Sequence, residues 1–237
     1  MTRCDLHTHS VYSDGTYTPA QLIEDAEAMS LAAIALTDHN TTKGLAKFLA
    51  AAEGKTVTTV PRVELSTCYN GKPLHIIAMF LPNDQYAAVE SYMADALRRD
   101  AENMKKQVAL LQKAGYAIDY PTLRQKAKVM ATPAHIKREL WEQGYAPSMK
   151  EVDRILRNVG KPDFPVEYPD AIETIYSAYD EKTAAKAAEI AKEFGLLPSG
   201  GSDFHGENRP EIQLVTGRGG MSIPKSVYDG LLGAHHE

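Results

Sequence analysis

The stretch Cys4-Asp5-Leu6-His7-Thr8-His9-Ser10, with Ser13-Asp14-Gly15 close behind it, decides how this chain is read. Cys4 to His7 alternates at a period of two and predicts a short first strand. On a strand, residues i and i+2 face the same way, so His7 and His9 can offer two imidazoles to one ion. Asp14 follows in a Ser-Asp-Gly turn. An H-x-H pair alone is a weak metal signal, because most single histidines belong to a surface or a core. What the rest of the chain adds decides between the two.

Outward from that point, strands and helices alternate. Thr18-Pro19 marks a helix start, with Thr suited to the cap and Pro to the first helical position. Leu22, Ile23, Ala26 and Met29 continue it as an apolar face. Leu31 to Leu36 predicts a second strand, Lys43 to Ala52 a helix, Val57 to Leu65 a third strand and Leu74 to Leu81 a fourth. This rhythm points to an α/β protein with a parallel sheet and outer helices. From Asp84 to Asn158 the rhythm stops. Helical patterns cover Tyr86–Ala114, Tyr120–Met130, Pro133–Gln143 and Ser148–Asn158, with no strand among them, and Pro162, Pro165 and Pro169 punctuate the exit. Then come a strand at Ala171–Tyr176, a helix at Glu181–Phe194, a strand end at Leu196–Pro198 and a last strand at Ile212–Thr216. The expected organisation is a barrel built from 1–83 and 165–237, carrying a helical cap over 84–164.

The remaining candidate ligands fall mostly at predicted strand ends. Asp38-His39 ends strand two and Glu64 ends strand three. His75 lies in strand four. Asp203 and His205 sit in Gly200-Gly201-Ser202-Asp203-Phe204-His205-Gly206. A parallel α/β barrel delivers side chains from the C-terminal ends of its strands to one mouth. Each motif alone has a bland reading as a turn or a cap. The ordered conjunction of all of them predicts a metal site, with imidazoles and shared carboxylates suited to zinc, manganese or iron.

Composition limits the alternatives. The 237 residues, 43% hydrophobic and 24% charged, suit one large globular domain with an insertion. Two cysteines give no disulfide framework, which fits a reducing, cytoplasmic setting. A net charge of −5 argues against a broad duplex-DNA footprint. No apolar run approaches the ~18 residues of a spanning helix, so a membrane is not an expected partner.

The ordered set resembles the PHP family, named for its polymerase and histidinol phosphatase members. Asp5-Leu-His-Thr-His-Ser10 with Ser13-Asp-Gly15 is similar to its first motif, Ala35-Leu-Thr-Asp-His-Asn40 to its second, Val63-Glu-Leu-Ser-Thr67 to its third, and Gly200 to Gly206 to its last. The resemblance, strongest to the small stand-alone phosphoesterases, implies a distorted TIM-like (β/α)7-type barrel with two or three divalent metal ions in its mouth. One ion would take His7, His9, Glu64 and Asp203. A second would share Glu64 and take His75 with one further histidine. A third would take Asp14, His39 and His205. The family draws the further histidine from an Ala-His-Pro strand after the insertion. This chain has none, as if one strand–helix unit had been removed, so the second ion is one ligand short. His135, in Thr132-Pro-Ala-His-Ile136, stands where relatives have a cap histidine near substrate.

The expected activity is a metal-dependent phosphoesterase, hydrolysing a monoester or diester of a small metabolite or nucleotide, such as a nucleoside bisphosphate or a short oligonucleotide end, with a metal-activated hydroxide. Glu64 would fix the spacing of two ions, Asp203 would orient the water, and His205 or His39 would protonate the leaving group. Lys161 in Gly160-Lys-Pro162 and Arg209 in Asn208-Arg-Pro210 are the first candidates for holding substrate charge, then Arg138 and Lys137; each has the ordinary alternative of a solvated surface charge. The competing expectation is a degenerate phosphate- or nucleotide-binding module with little turnover, motivated by the missing Ala-His-Pro segment. A barrel short of a strand also leaves a parallel edge that a homodimer could close.

Overall fold

The computed structural model describes residues 3–69, 72–159, 171–194 and 197–235. Strand β1 (Arg3–Asp5), helix α1 (Pro19–Ala28), strand β2 (Ala33–Leu36), helix α2 (Leu45–Ala51) and strand β3 (Thr58–Tyr69) follow the expected alternation. Strand β4 (Lys72–Met79) then returns beside β3. Helices α3 (Tyr86–Lys113), α4 (Tyr120–Lys126), α5 (Pro133–Glu142) and α6 (Met149–Val159) occupy the stretch expected as an insertion, without a strand among the described residues. Strand β5 (Ala171–Tyr176), helix α7 (Glu181–Phe194), strand β6 (Leu197–Gly201), strand β7 (Ile223–Pro224) and helix α8 (Lys225–His235) complete the chain.

The strands form a curled half-barrel. One sheet has the order β4-β3-β2-β1-β7, and β5 and β6 pair as a second ribbon. The expected parallel sheet holds in part: β1–β2, β2–β3 and β5–β6 are parallel, whereas β3–β4 and β1–β7 are antiparallel. The β3–β4 pair is a long hairpin, so Glu64 lies in the middle of β3 rather than at its end, opposite Ile77. The predicted strand at Ile212–Thr216 is also corrected. Val215 adopts φ 71°, and its N–H goes to the Asp5 carboxylate instead of a ladder partner. These residues form a turn that buries Ile212, Leu214 and Val215, and the last strand comes later, at β7.

Two clusters of apolar residues flank the main sheet. Thr18 caps α1 with a reciprocal Gln21 bond, as its sequence suggests, and Leu22, Ile23 and Ala26 press on Ile34, Leu36, Phe48 and Phe204. On the other face Cys4, Leu6, Ala33, Ala35 and Val60 meet Ile223 and Leu231. Burying each such Leu, Ile or Phe is worth about 1.5–3 kcal/mol. The insertion has a cluster of its own: Met104, Val108 and Leu111 of α3 pack with Leu123, Ile136, Leu140 and Val152. Inside the curl, the fully buried Arg62 of β3 donates to the Leu6 carbonyl and to Ser199 Oγ at 3.3 Å, tying β3 to β1 and β6. Among the described residues no helix is long and apolar enough to cross a membrane.

Candidate metal centre

Asp5, at the end of β1, holds the site together. Its fully buried carboxylate accepts from the backbone N–H of His7 at 3.3 Å, Ser202 at 2.9 Å and Val215 at 2.8 Å, joining three distant segments. Burial pushes its pKa up, against those donors. Beyond β1, Asp203 N–H donates to the His7 carbonyl and His9 N–H to the Phe204 carbonyl, both at 3.0 Å, so the two histidine-bearing segments run side by side. Only glycine fits at 201, because a Cβ there would lie 2.0 Å from His7 Cβ. Asp38 is not aimed at an ion: its carboxylate accepts from Ser10 N at 2.7 Å, Ser10 Oγ at 2.6 Å and Ser13 Oγ at 2.7 Å, shaping the turn that presents Asp14. Asn40, at φ 54°, receives Ser66 N–H at 2.8 Å and donates its own backbone N–H to the Glu64 carbonyl at 2.9 Å, which sets His39 beside Glu64.

Eight predicted ligands converge. His7 Nε2 lies 2.8 Å from Glu64 Oε2 and 3.0 Å from His9 Nε2. Asp203 Oδ1 is 3.6 Å from His7 Nε2 and 3.4 Å from His9 Nε2. Glu64 also contacts His75 Nδ1 through Oε1, and its Oε2 is 3.7 Å from His39 Nδ1. Asp14 Oδ1 is 3.3 Å from His205 Nε2, 3.6 Å from His9 Nδ1 and 3.8 Å from His39 Nε2. Three groups able to hold an ion result: His7, His9 and Asp203; His39, Glu64 and His75; and His9, Asp14, His39 and His205. All are buried or half-buried except His75, whose side chain is 48% exposed.

Asp203 adopts the left-handed conformation at φ 59°, which Asp tolerates better than most residues. Its outer oxygen Oδ2 accepts from Tyr176 Oη at 2.7 Å and pairs with Arg209, leaving Oδ1 to the imidazoles. Arg209 therefore reaches the site through Asp203. His135 Nδ1 bonds Thr132 Oγ1 at 2.9 Å and closes the cap of α5. Arg138 pairs with Glu207 at 2.9 Å and with Glu142 at 3.6 Å. Lys161 lies outside the described residues. A cavity of about 440 Å³ opens over Asp14, His39, His75 and His205, within the size range of small-molecule sites.

The electrostatics ask for positive charge. Burial opposes ionisation of Asp14 and Glu64, yet nearby imidazoles hold both well below the usual carboxylate range: His205 and His39 act on Asp14, His39 and His7 on Glu64. Asp203 is lowered as well, by His9, His205 and His7 against burial. His9 resists charging because it is buried, but Asp203, Glu64 and Asp14 raise its pKa to about 9. Burial prevails at His39, which falls to about 4. His205 Nδ1 faces the Asp203 carbonyl at 2.7 Å, which favours a proton on that nitrogen and leaves Nε2 as a lone pair facing Asp14. His205 Nε2 and His39 Nδ1 are both buried without a hydrogen-bond partner. A lone pair directed at a carboxylate is repulsive unless a cation lies between them, so the donor set fits divalent ions.

The PHP domain model matches residues 5–171, more than half of the chain, and the chain belongs to this family. It is 31% identical over 166 residues to the 3',5'-nucleoside bisphosphate phosphatase of Chromobacterium violaceum, covering 69% of this chain and 58% of the relative. It is 30% identical over 181 residues to a 5'-3' exoribonuclease of Haemophilus influenzae, covering 73% of this chain and 65% of the relative. The chain thus spans less than two thirds of the length of both. A solved structure from Bifidobacterium adolescentis, called a candidate metal-dependent phosphoesterase, superposes with a TM-score of 0.84 over 97% of this chain and 95% of that one at 19% identity, which shows the shared fold.

Proposed function

We propose that this chain is a metal-dependent hydrolase of phosphate esters, acting on a small phosphorylated metabolite or nucleotide. The observation that carries this is the convergence of five histidines and three carboxylates, with His39 Nδ1 and His205 Nε2 buried among them without a hydrogen-bond partner. Family membership and the names of the two relatives support the same class of reaction.

His7, His9, Glu64 and Asp203 would hold one ion, Asp14, His39 and His205 another, and Glu64 with His75 and His39 a third. Bound divalent ions supply an activated water and neutralise charge on the phosphoryl oxygens. The chain's own residues do the rest. Glu64 offers one oxygen to the His7–His9 side and the other to His75, which fixes the separation of two positions. Tyr176 and Arg209 hold Asp203 by its outer oxygen, so that Oδ1 faces the reacting centre. Where its ion position is empty and Nε2 has taken up a proton, His205 would hand that proton to a leaving oxygen. The helices of the insertion wall the cavity and act as a cap over it.

The test is phosphate release from a panel of mono- and diesters by protein reconstituted with manganese, zinc or iron, set against Asp203→Ala and His7→Ala. Release that depends on metal and falls at least 100-fold in both variants is expected. Tight metal and nucleotide binding with no release from any ester would favour the degenerate binding module instead.

A further inference from the structure

Helix α3 meets the barrel at Asn40, Thr41 and Thr42, the residues that follow His39. Glu90 accepts from the Thr42 backbone N–H and from the Thr41 and Thr42 hydroxyls, the last two at 2.9 Å each. About three turns further along the helix, Asp100 accepts from Asn40 Nδ2 at 3.0 Å. Neither carboxylate belongs to any of the three groups able to hold an ion, or to the apolar cluster of the insertion. What they hold is the backbone beside His39. Asn40 also receives Ser66 N–H at 2.8 Å and gives its own N–H to the Glu64 carbonyl at 2.9 Å. A metal-ligating histidine is ordinarily oriented by a second bond from its ring to a carboxylate or carbonyl. His39 lacks that bond: its Nδ1 is buried without a hydrogen-bond partner. The place of its ring therefore follows from its backbone, which α3 and β3 fix between them.

We infer that Glu90 and Asp100 are positioning residues for the His39 ion position, so that the seating of α3 on the barrel and the affinity for that ion are set together. This rests on the metal-centre reading and goes beyond it: a helix that contributes to none of the three ion-holding groups decides how tightly one ion is held. Coupling of this kind is reciprocal, so filling that position also holds α3 against the barrel. The same helix carries Ala96, Asn103 and Met104 to the wall of the cavity, whose shape depends on the same two moorings. The position at His7, His9 and Asp203 is the internal control. Its two segments are fixed by the Asp5 carboxylate and by their own backbone pairing.

The experiment loads the full chain with cobalt(II), withdraws the ions with a competing chelator and follows the visible absorbance of each bound ion. It compares wild type, the double variant Glu90→Ala with Asp100→Ala, the conservative double variant Glu90→Gln with Asp100→Asn, and His39→Ala as the reference for the position lost. The alanine pair is expected to hold the ion that His39→Ala loses about 10–100-fold more weakly, the usual cost of a lost outer-shell partner, and to keep the His7 ion at wild-type affinity. The Gln/Asn pair keeps an acceptor oxygen for each donor and restores most of the loss. Asp100→Ala alone removes one bond and gives the same sign in smaller measure, which keeps the test open if the alanine pair does not fold. Hydrogen exchange over α3 reads the coupling in reverse: loading slows it in wild type and leaves it unchanged in the alanine pair. An alanine pair that holds both ions as wild type does, or that weakens both equally, overturns the inference and leaves the metal centre standing. A wild type that retains no cobalt overturns both.

Discussion

Replacing Gly201 by alanine adds one methyl group at the tightest contact in the site. The new Cβ would lie 2.0 Å from His7 Cβ, 2.5 Å from His7 N and 2.7 Å from His7 Cα. Carbon atoms at rest stand about 3.5–4.0 Å apart, so β6 and the His7 segment must separate by roughly 1.5 Å. No flexible side-chain end is available to move, because the clash is with the backbone and the first carbon of His7. Overpacking of this kind costs about 1–3 kcal/mol or more. The displacement also strains the bonds from Asp203 N–H to the His7 carbonyl and from Ser202 N–H to Asp5. Gly230 in α8 is the control, since a Cβ there meets nothing within 4 Å. Gly230→Ala should raise stability by about 0.5–1 kcal/mol through helix propensity. Urea denaturation and metal content of the two variants make the comparison: Gly201→Ala is expected to lower the midpoint and lose metal, Gly230→Ala to raise the midpoint and keep it. A Gly201→Ala protein with wild-type midpoint and metal content would refute the packing reasoning.

Other consequences are open to direct measurement. Asn40→Ala removes the bonds to Ser66 and Asp100 and places alanine at φ 54°, so about 2–4 kcal/mol of stability should go, together with the alignment of His39 against Glu64; denaturation and metal titration check both. Cys4 is buried and its thiol is pushed up to about 12, chiefly by burial and next by Asp5, so in a Cys68→Ser background a thiol reagent at pH 8 should label it only after unfolding. Glu139 is held below the usual carboxylate range, with Lys126 and Gln143 outweighing burial. Its depressed folded pKa gives stability that is present above the ordinary glutamate pKa and lost as pH falls through the folded one. Lys126→Met should flatten that acid limb of the stability–pH curve.

Much of the site was legible in the residues because the ligands sit in local motifs whose spacing has a geometric meaning. His7 and His9 share a face, and the Asp14 turn and the Asp203–His205 segment end up where their order along the barrel requires. The α1 cap at Thr18 and the four insertion helices were readable for the same reason, from turn chemistry and apolar period. What was not legible depends on contacts between distant segments. Asp5 looked like a strand residue, and only its bonds to Ser202 and Val215 make it the site's organiser. The Ile212–Thr216 run has strand-like apolar content, but its backbone is captured by Asp5 and bends away. Glu64 looked like a strand end because Leu65 closes the apolar run, whereas the polar continuation through Ser66 and Thr67 pairs with β4. Tyr176, which holds Asp203 by its outer oxygen, carries no signal of its own, since a tyrosine on a strand usually has ordinary surroundings.

Metal stoichiometry of the purified chain addresses the central claim most directly. After stripping, reloading with manganese, zinc or iron and removal of excess ion, elemental analysis should find at least two equivalents per chain in wild type. One of them should be lost in His7→Ala and a different one in His39→Ala. Less than a tenth of an equivalent retained from every metal offered would mean that the buried imidazoles and carboxylates neutralise one another as protonated pairs, and the account of an ion-binding centre would fail.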